Sequence, residues 1–222
     1  MIQKPELELT TDGSHTLYVP QLDEHYHSTN GAIQESRHVF IEAGLRHCTK
    51  DEINIFEVGF GTGLNTFLTL IESEKCAKKV IYTTIEAYPL PDELIQCLNY
   101  PELLSRERPL FDKIHSSEWD KLVEINNRFS LHKLHANFTQ FNFPPSPKYD
   151  LVYFDAFAPD KQSEMWVQSS FEAIYKQLNH NGILCTYCAK GAIRRMMQAA
   201  GFHTERLPGP PGKREMLRAT KI

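Results

Sequence analysis

The chain has 222 residues, with 24 Lys and Arg against 28 Asp and Glu, for a formal charge of −4. Its 41% hydrophobic and 23% charged residues exclude a disordered chain and fit one domain with room for an elaboration. No apolar run approaches the ~18 residues of a membrane helix, Met1 to Glu6 lacks the apolar stretch of a secretory signal, and five scattered cysteines point to a reducing, cytoplasmic setting.

Residues 1–30 are polar and turn-rich, with Thr11-Asp12-Gly13-Ser14 reading as a hairpin turn between short strands. From Gly31 to His47, the apolar residues Ile33, Val39, Phe40, Ala43 and Leu45 predict a helix buried on one side. Residues 1–48 are thus expected to form a small N-terminal β/α extension, and residues 49–222 the main domain. There, short apolar runs alternate with helical patterns. Strands are predicted at Ile53–Val58, Val80–Glu86, Leu131–Leu134, Tyr149–Asp155 and Gly182–Cys188. Between them, helices are predicted at Thr62–Glu72, Pro89–Asn99, Glu118–Arg128, Ser163–Leu178 and Ala189–Ala200. Past Gly201, Phe202–Leu207 and Glu215–Lys221 flank the turn Pro208-Gly-Pro-Pro-Gly212 and read as an antiparallel hairpin. The fold class is α/β: five β/α units closed by a C-terminal antiparallel hairpin, a Rossmann-like sheet.

The most informative stretch is Glu57-Val-Gly59-Phe-Gly61-Thr62-Gly63-Leu-Asn65, between a predicted strand and helix. Glycines let the backbone approach a ligand, and the helix start offers unpaired N–H donors. A dinucleotide loop would be G-x-G-x-x-G. The G-x-G-x-G spacing here, with Glu57 two residues ahead, resembles the S-adenosylmethionine motif of class I methyltransferases. Glu86 ends the next strand, 23 residues beyond Gly63, where a carboxylate can accept from both hydroxyls of a ribose. Leu134-His-Ala-Asn137-Phe138 occupies the third cofactor position, and Asn137 replaces the acid that many relatives direct at the adenine amino group. Its side-chain oxygen could still accept. Asp155, in Tyr153-Phe-Asp155-Ala-Phe157-Ala-Pro159, falls at the strand end where open α/β sheets bind ligands, and is the reaction-centre candidate.

The net charge hides an asymmetry. Residues 185–222 carry eight Lys and Arg against two Glu. A basic end on an acidic chain suits a polyanion docking surface as well as an ordinary solvated face.

Glu57–Asn65, Phe154–Asp160, Met165-Trp166 and Lys213–Leu217 together resemble the methyltransferase domain of the MnmC tRNA-modification proteins, as do Asp23, Gly31, Glu35-Ser-Arg37 and Val39-Phe40. The resemblance covers essentially the whole chain. It implies a class I methyltransferase fold and S-adenosylmethionine as cofactor. It also implies methylation of the aminomethyl group on a tRNA wobble uridine by a stand-alone enzyme fed by upstream tRNA-modifying enzymes. Cofactor contacts are then expected from Glu57, Gly59, Gly61, Thr62, Gly63, Asn65, Glu86, Asn137, Phe138 and Asp155. Asp155 orients the amine, and the proton goes to it or to water. Such an amine is mostly protonated: with a pKa of ~10.4, about one molecule in a few thousand is neutral at pH 7. Lys190, Arg194, Arg195, Lys213 and Arg214 are expected to contact tRNA phosphates, while Tyr26, Phe157, Trp166 or Tyr187 could stack on an extruded base. Aminopropyl transfer to a polyamine and non-catalytic tRNA binding are the alternatives. Cys185 and Cys188 point to opposite faces of a strand, and His25 and His27 lack a third ligand, so no metal site is expected.

Overall fold

Residues 6–25 build a three-stranded antiparallel sheet of β1 (Glu6–Leu9), β2 (His15–Val19) and β3 (Glu24–His25), in the order β1-β2-β3. The computed structural model describes residues 4–222. After the sheet comes α1 (Ala32–Ser36), which runs on as a π-helix over Arg37–Leu45. Gly44 on this helix lets Tyr153 approach so closely that a Cβ would lie 3.2 Å from its ring. Val39, Phe40, Ile41 and Leu45 join the core of the main sheet.

The main sheet has eight strands. β4 (Glu52–Val58) leads into α2 (Leu64–Lys75) and β5 (Lys79–Glu86). Three short helices follow, α3 (Asp92–Ile95), α4 (Tyr100–Leu103) and α5 (Arg108–Ser116), before β6 (Leu122–Asn126) and β7 (Phe129–His135). A 3-10 turn at Phe138–Gln140 precedes β8 (Tyr149–Phe154), and another at Ser163–Met165 precedes α6 (Gln168–Gln177). The chain ends with β9 (Leu178–Thr186), α7 (Gly191–Ala199), β10 (Phe202–Pro208) and β11 (Glu215–Lys221). The strand order is β10-β11-β9-β8-β4-β5-β7-β6. β7, β5, β4, β8 and β9 are parallel neighbours, and antiparallel strands flank them on both sides. The Rossmann-like reading and the C-terminal hairpin hold.

Two expected helices are not formed as read. Residues 118–128 contain β6, not a helix. Val123 and Ile125 alternate with exposed Leu122 and Glu124, and a two-residue turn at Asn127-Arg128 folds β6 back on β7. Pairing with an open edge outweighs the helical spacing of Leu122 and Ile125. The predicted helix at 89–99 is shortened to α3, and α4 begins only at Tyr100.

Side-chain alternation divides the core. Ile53 and Ile55 of β4, Leu151 and Tyr153 of β8, and Cys185 of β9 pack with α2, α5 and the π-helix. Phe56, Val58, Val152, Phe154 and Leu184 face the layer of α6 and α7, where Cys188 also lies. No helix among the described residues is long and apolar enough to cross a membrane.

At the amino edge of the sheet, Asp150 is nearly buried and accepts from Lys50 Nζ at 2.5 Å, Asn179 Nδ2 at 2.7 Å and the Asn54 amide at 3.0 Å. Asp150→Ala strands these donors. Urea denaturation is expected to register a loss of about 2–3 kcal/mol, while ligand binding at the opposite edge is unaffected.

Candidate active site

The parallel register fixes the site. Val58 lies beside Ile85 on one side and Phe154 on the other, so the residues that follow each strand emerge together. The ladder extends one step past the strands: the Gly59 amide donates to Ile85 O at 3.0 Å, and the Asp155 amide to Val58 O at 3.1 Å. Gly59, Glu86 and Asp155 thereby meet at the carboxyl edge, on the wall of a cavity of about 450 Å³. Gly59, at φ +91°, passes so close to Asp155 that a Cβ would sit 2.6 Å from its carbonyl oxygen. At Gly61 a Cβ would meet the Tyr26 ring at 2.9 Å.

Thr62, Asn65, Asn137 and Phe138 line the same cavity. Glu86 accepts from the Gly61 amide at 3.1 Å with one carboxylate oxygen and from the Tyr88 amide at 2.8 Å with the other. This fixes the carboxylate and leaves lone pairs for a ligand's hydroxyls. Asn65 Nδ2 donates to Asp155 Oδ2 at 2.8 Å, while its own Oδ1 is buried without a partner. Burial drives the Asp155 carboxyl up to about 7, against the opposing pull of the Asn65 bond.

Several expected positions fall elsewhere. Glu57 does not line the cavity. Its place on β4 turns it toward α2, where Thr66 Oγ1 donates to it at 3.3 Å. Burial there pushes it up to about 8. Gly63 also lies outside the wall, starting α2 at φ +72° with His115 against its Cα. Asn137 points its oxygen back at Thr139, accepting from that residue's amide and hydroxyl at 2.9 Å each. What it offers a ligand is therefore chiefly the side-chain amide donor, not the expected acceptor.

The basic residues divide as well. Lys190 pairs with Asp160, and Lys213 with Glu35 inside the cavity wall. Arg194 is half-buried with an unpartnered Nε. Arg195 and Arg214 are exposed and form no ion pair among the described residues. The wall itself is acidic, with Glu24, Glu35, Glu86, Asp155 and Glu164 against Lys213. Of the aromatic candidates, Tyr26, Phe157 and Tyr187 line the cavity. Trp166 is core, its Nε1 donating to Phe157 O at 2.7 Å.

The glycine loop has supports that no local motif marks. His27 Nε2 bonds Thr62 Oγ1 at 2.8 Å from the N-terminal side, and burial lowers its pKa to about 4. His115 Nε2 donates to Thr62 O at 3.2 Å from α5. Burial, with Lys133 nearby, lowers His115 to about 3. Lys133 is almost fully buried on β7, donates to His115 O, and lies 4.6 Å from the centre of the Trp119 ring. A lone lysine in the alternating run Phe129–His135 was the available signal. Among the described residues no group of three or more His, Cys, Asp or Glu could hold a metal ion.

Comparison with known proteins agrees with this geometry. Residues 119–222 match a family model described as S-adenosyl-L-methionine-dependent methyltransferase. The fold superimposes on MnmC2 from Aquifex aeolicus with a TM-score of 0.77 at 25% identity, covering 98% of this chain and 70% of that one. Spermidine synthase from Thermotoga maritima, at 11% identity and a TM-score of 0.56 over 100% of this chain and 82% of that one, shares the fold. The fold is that of the class I S-adenosyl-L-methionine-dependent methyltransferases, and the C-terminal part of the chain matches their family model. Within that class the chain is a relative of the bifunctional MnmC proteins of tRNA 5-methylaminomethyl-2-thiouridine biosynthesis. It is 30% identical to the one from Cupriavidus metallidurans over 97% of this chain and 34% of that protein. To the one from Pseudomonas syringae it is 31% identical over 89% of this chain and 32% of that protein. The chain thus spans about a third of the length of these curated relatives.

The residues present fit the cofactor: bare backbone of Gly59 and Gly61 on the cavity wall, an immobilised carboxylate at Glu86, and an orphaned buried acceptor at Asn65. Gly59→Ala combines a positive φ with an overlap on Asp155, and calorimetry is expected to find S-adenosylmethionine binding at least tenfold weaker (~1.4 kcal/mol). The buried acids also set the pH dependence of stability. Glu57 and Asp155 are raised from 4.5 and 3.8 to about 8 and about 7, so their neutral forms favour the folded state. Their contribution is full below the ordinary carboxylate range and is lost as pH rises through those raised values. Glu57→Gln, measured by thermal unfolding at a series of pH values, is expected to flatten that decline.

Proposed function

We propose that this chain methylates the aminomethyl nitrogen at C5 of a tRNA wobble uridine, with Asp155 as the group that holds and deprotonates the amine. The observation that carries this reading is Asp155: a carboxylate fixed by Asn65, half-open to an acidic cavity, and raised by burial to about 7. The names of the MnmC relatives support the substrate class.

When bound, S-adenosylmethionine supplies a methyl group on a sulfonium. Gly59, Gly61, Thr62 and Asn65 would hold it along the loop, Glu86 at the ribose, and Asn137 and Phe138 at the adenine. The acidic wall attracts the substrate as an ammonium, its prevalent form. Asp155 accepts one N–H of that ammonium, turns the nitrogen into the cavity, and takes a proton, which frees the lone pair. A carboxylate near 7 is far better matched to this than one near 4. Asn65 keeps the opposite side of the carboxylate fixed during the transfer.

Exposed Arg195 and Arg214, with Lys190 and Arg194 on the neighbouring segment, are assigned to tRNA phosphates. Lys190 would exchange Asp160 for a phosphate. Upstream enzymes that expose the primary amine would supply the substrate, in the cytoplasm.

The test is incubation with labelled cofactor and tRNA carrying 5-aminomethyluridine, followed by nucleoside mass spectrometry. Wild type is expected to yield 5-methylaminomethyluridine with an acid limb at or below about pH 7. Asp155→Asn should lose at least a hundredfold in rate and keep its cofactor affinity within about tenfold. Near-normal turnover in that variant removes Asp155 from the mechanism, and no methylated nucleoside from wild type removes the proposed reaction. In the same assay tRNA affinity should fall steeply with salt, and Arg195→Ala with Arg214→Ala should reduce the log–log slope by about one per lost phosphate contact.

A further inference from the structure

Lys213 stands apart from the other basic residues of the C-terminal region. The turn that carries it folds over the N-terminal segment. Gly212, at φ +83°, is pressed against Asn30, and His38 Nε2 donates to Pro208 O at 2.8 Å. Lys213 Nζ pairs with Glu35, a nearly buried carboxylate whose other oxygen accepts the Ser28 amide at 2.8 Å. The ammonium also lies 4.0 Å from the centre of the Tyr187 ring. Tyr187 in turn donates to Ala156 O at 2.8 Å, one residue past Asp155. Lys213 is thus held on the wall that also carries Asp155.

This setting does not suit a phosphate. An anion reaching Lys213 would meet Glu35 directly, with Glu164 and Asp155 on the same wall. It does suit a neutral acceptor. An ammonium has three donors; Glu35 takes one, the ring face satisfies part of the charge, and the remaining capacity adjoins the cavity. In a 5-aminomethylpyrimidine the exocyclic group at C4 is the neighbour of the reacting substituent, so an amine at Asp155 brings that group into the same part of the cavity. We propose that Lys213, held by Glu35 and Tyr187, donates to the C4 carbonyl of the target base and thereby selects uracil over cytosine, whose C4 amino group cannot accept. This inference rests on the reading of Asp155 as the partner of the amine.

The experiment compares anticodon stem-loops carrying 5-aminomethyluridine, 5-aminomethylcytidine, or the 5-aminomethyl-pyrimidin-2-one analogue that lacks the C4 carbonyl. The proteins are wild type and the charge-neutral double variant Glu35→Gln/Lys213→Met. Wild type should prefer the uridine by roughly ten- to hundredfold in kcat/KM, the worth of one hydrogen bond to a charged donor. The double variant should lose that factor on the uridine alone, bringing the three substrates together, with S-adenosylmethionine affinity and the salt slope of binding unchanged. A variant that keeps the preference overturns the assignment, and a salt slope reduced by about one makes Lys213 a phosphate contact instead. The analogue tested on wild type alone covers the case of a variant that does not fold: equal turnover with and without the C4 carbonyl also overturns it. No turnover of the uridine by wild type is a different result, since it refutes the proposed reaction and not the role of Lys213 within it.

Discussion

Two backbone hydrogen bonds past the ends of the strands, from Gly59 to Ile85 and from Asp155 to Val58, hold the site together. They continue the parallel ladder into the loops, so that the glycine turn, the Glu86 carboxylate and the Asp155 carboxylate share one rim with spacing set by the sheet. The same closeness explains why residue 59 is glycine. A side chain there would overlap the Asp155 carbonyl, and opening the gap would break the ladder that aligns the two. Geometry of this kind costs no reorganisation during a reaction, because the hydrogen-bonded sheet has already fixed it.

Burial then sets the charge state of the rim. The glycine loop is clamped at Thr62 by His27 and His115, both held neutral by desolvation. Asp155 is raised by the same cause, with Asn65 as its hydrogen-bond partner. A cavity with five carboxylates and one ammonium favours cationic ligands. Of the basic residues near the C-terminus, Lys213 alone reaches its wall among the described residues. Lys190, Arg206, Lys213 and Arg218 are paired with acids, and Arg195 and Arg214 stay outside on the surface. The acidic wall would suit a polyamine as well, so charge alone does not separate this chain from spermidine synthase, which shares its fold. Sequence kinship with the MnmC proteins does.

Both ends of the chain converge on the same wall. The π-helix after the small sheet shares the core of the main sheet. Glu35 from the N-terminal segment meets Lys213 from the last hairpin, and Tyr26 closes over Gly61. Neither end is a passive appendage to the cavity, since its wall is incomplete without Tyr26, His27, Glu35 and Lys213.

Local pattern was enough to read the five parallel strands, the loop from Gly59 to Gly63, the acid at the end of β5 and Asp155 after β8, because each is written in consecutive residues: an apolar run, a glycine spacing, a strand terminus. The hairpin after Gly201 was equally legible from its turn chemistry. The sheet's alternation contained, unused, the signal that Glu57 faces α2. Only the tertiary structure decided the rest. Leu122–Asn126 became an edge strand because β7 offered an unpaired edge, and Asn137 turned its oxygen to Thr139. Lys213 left the basic surface because Glu35, remote in sequence, lay within reach. Glu35 and Lys213 are brought together only by folding, and no local window of sequence contains both. The β6–β7 pairing and the Asn137 turn lie within short windows, but the backbone geometry that selects them is not written in the residue pattern.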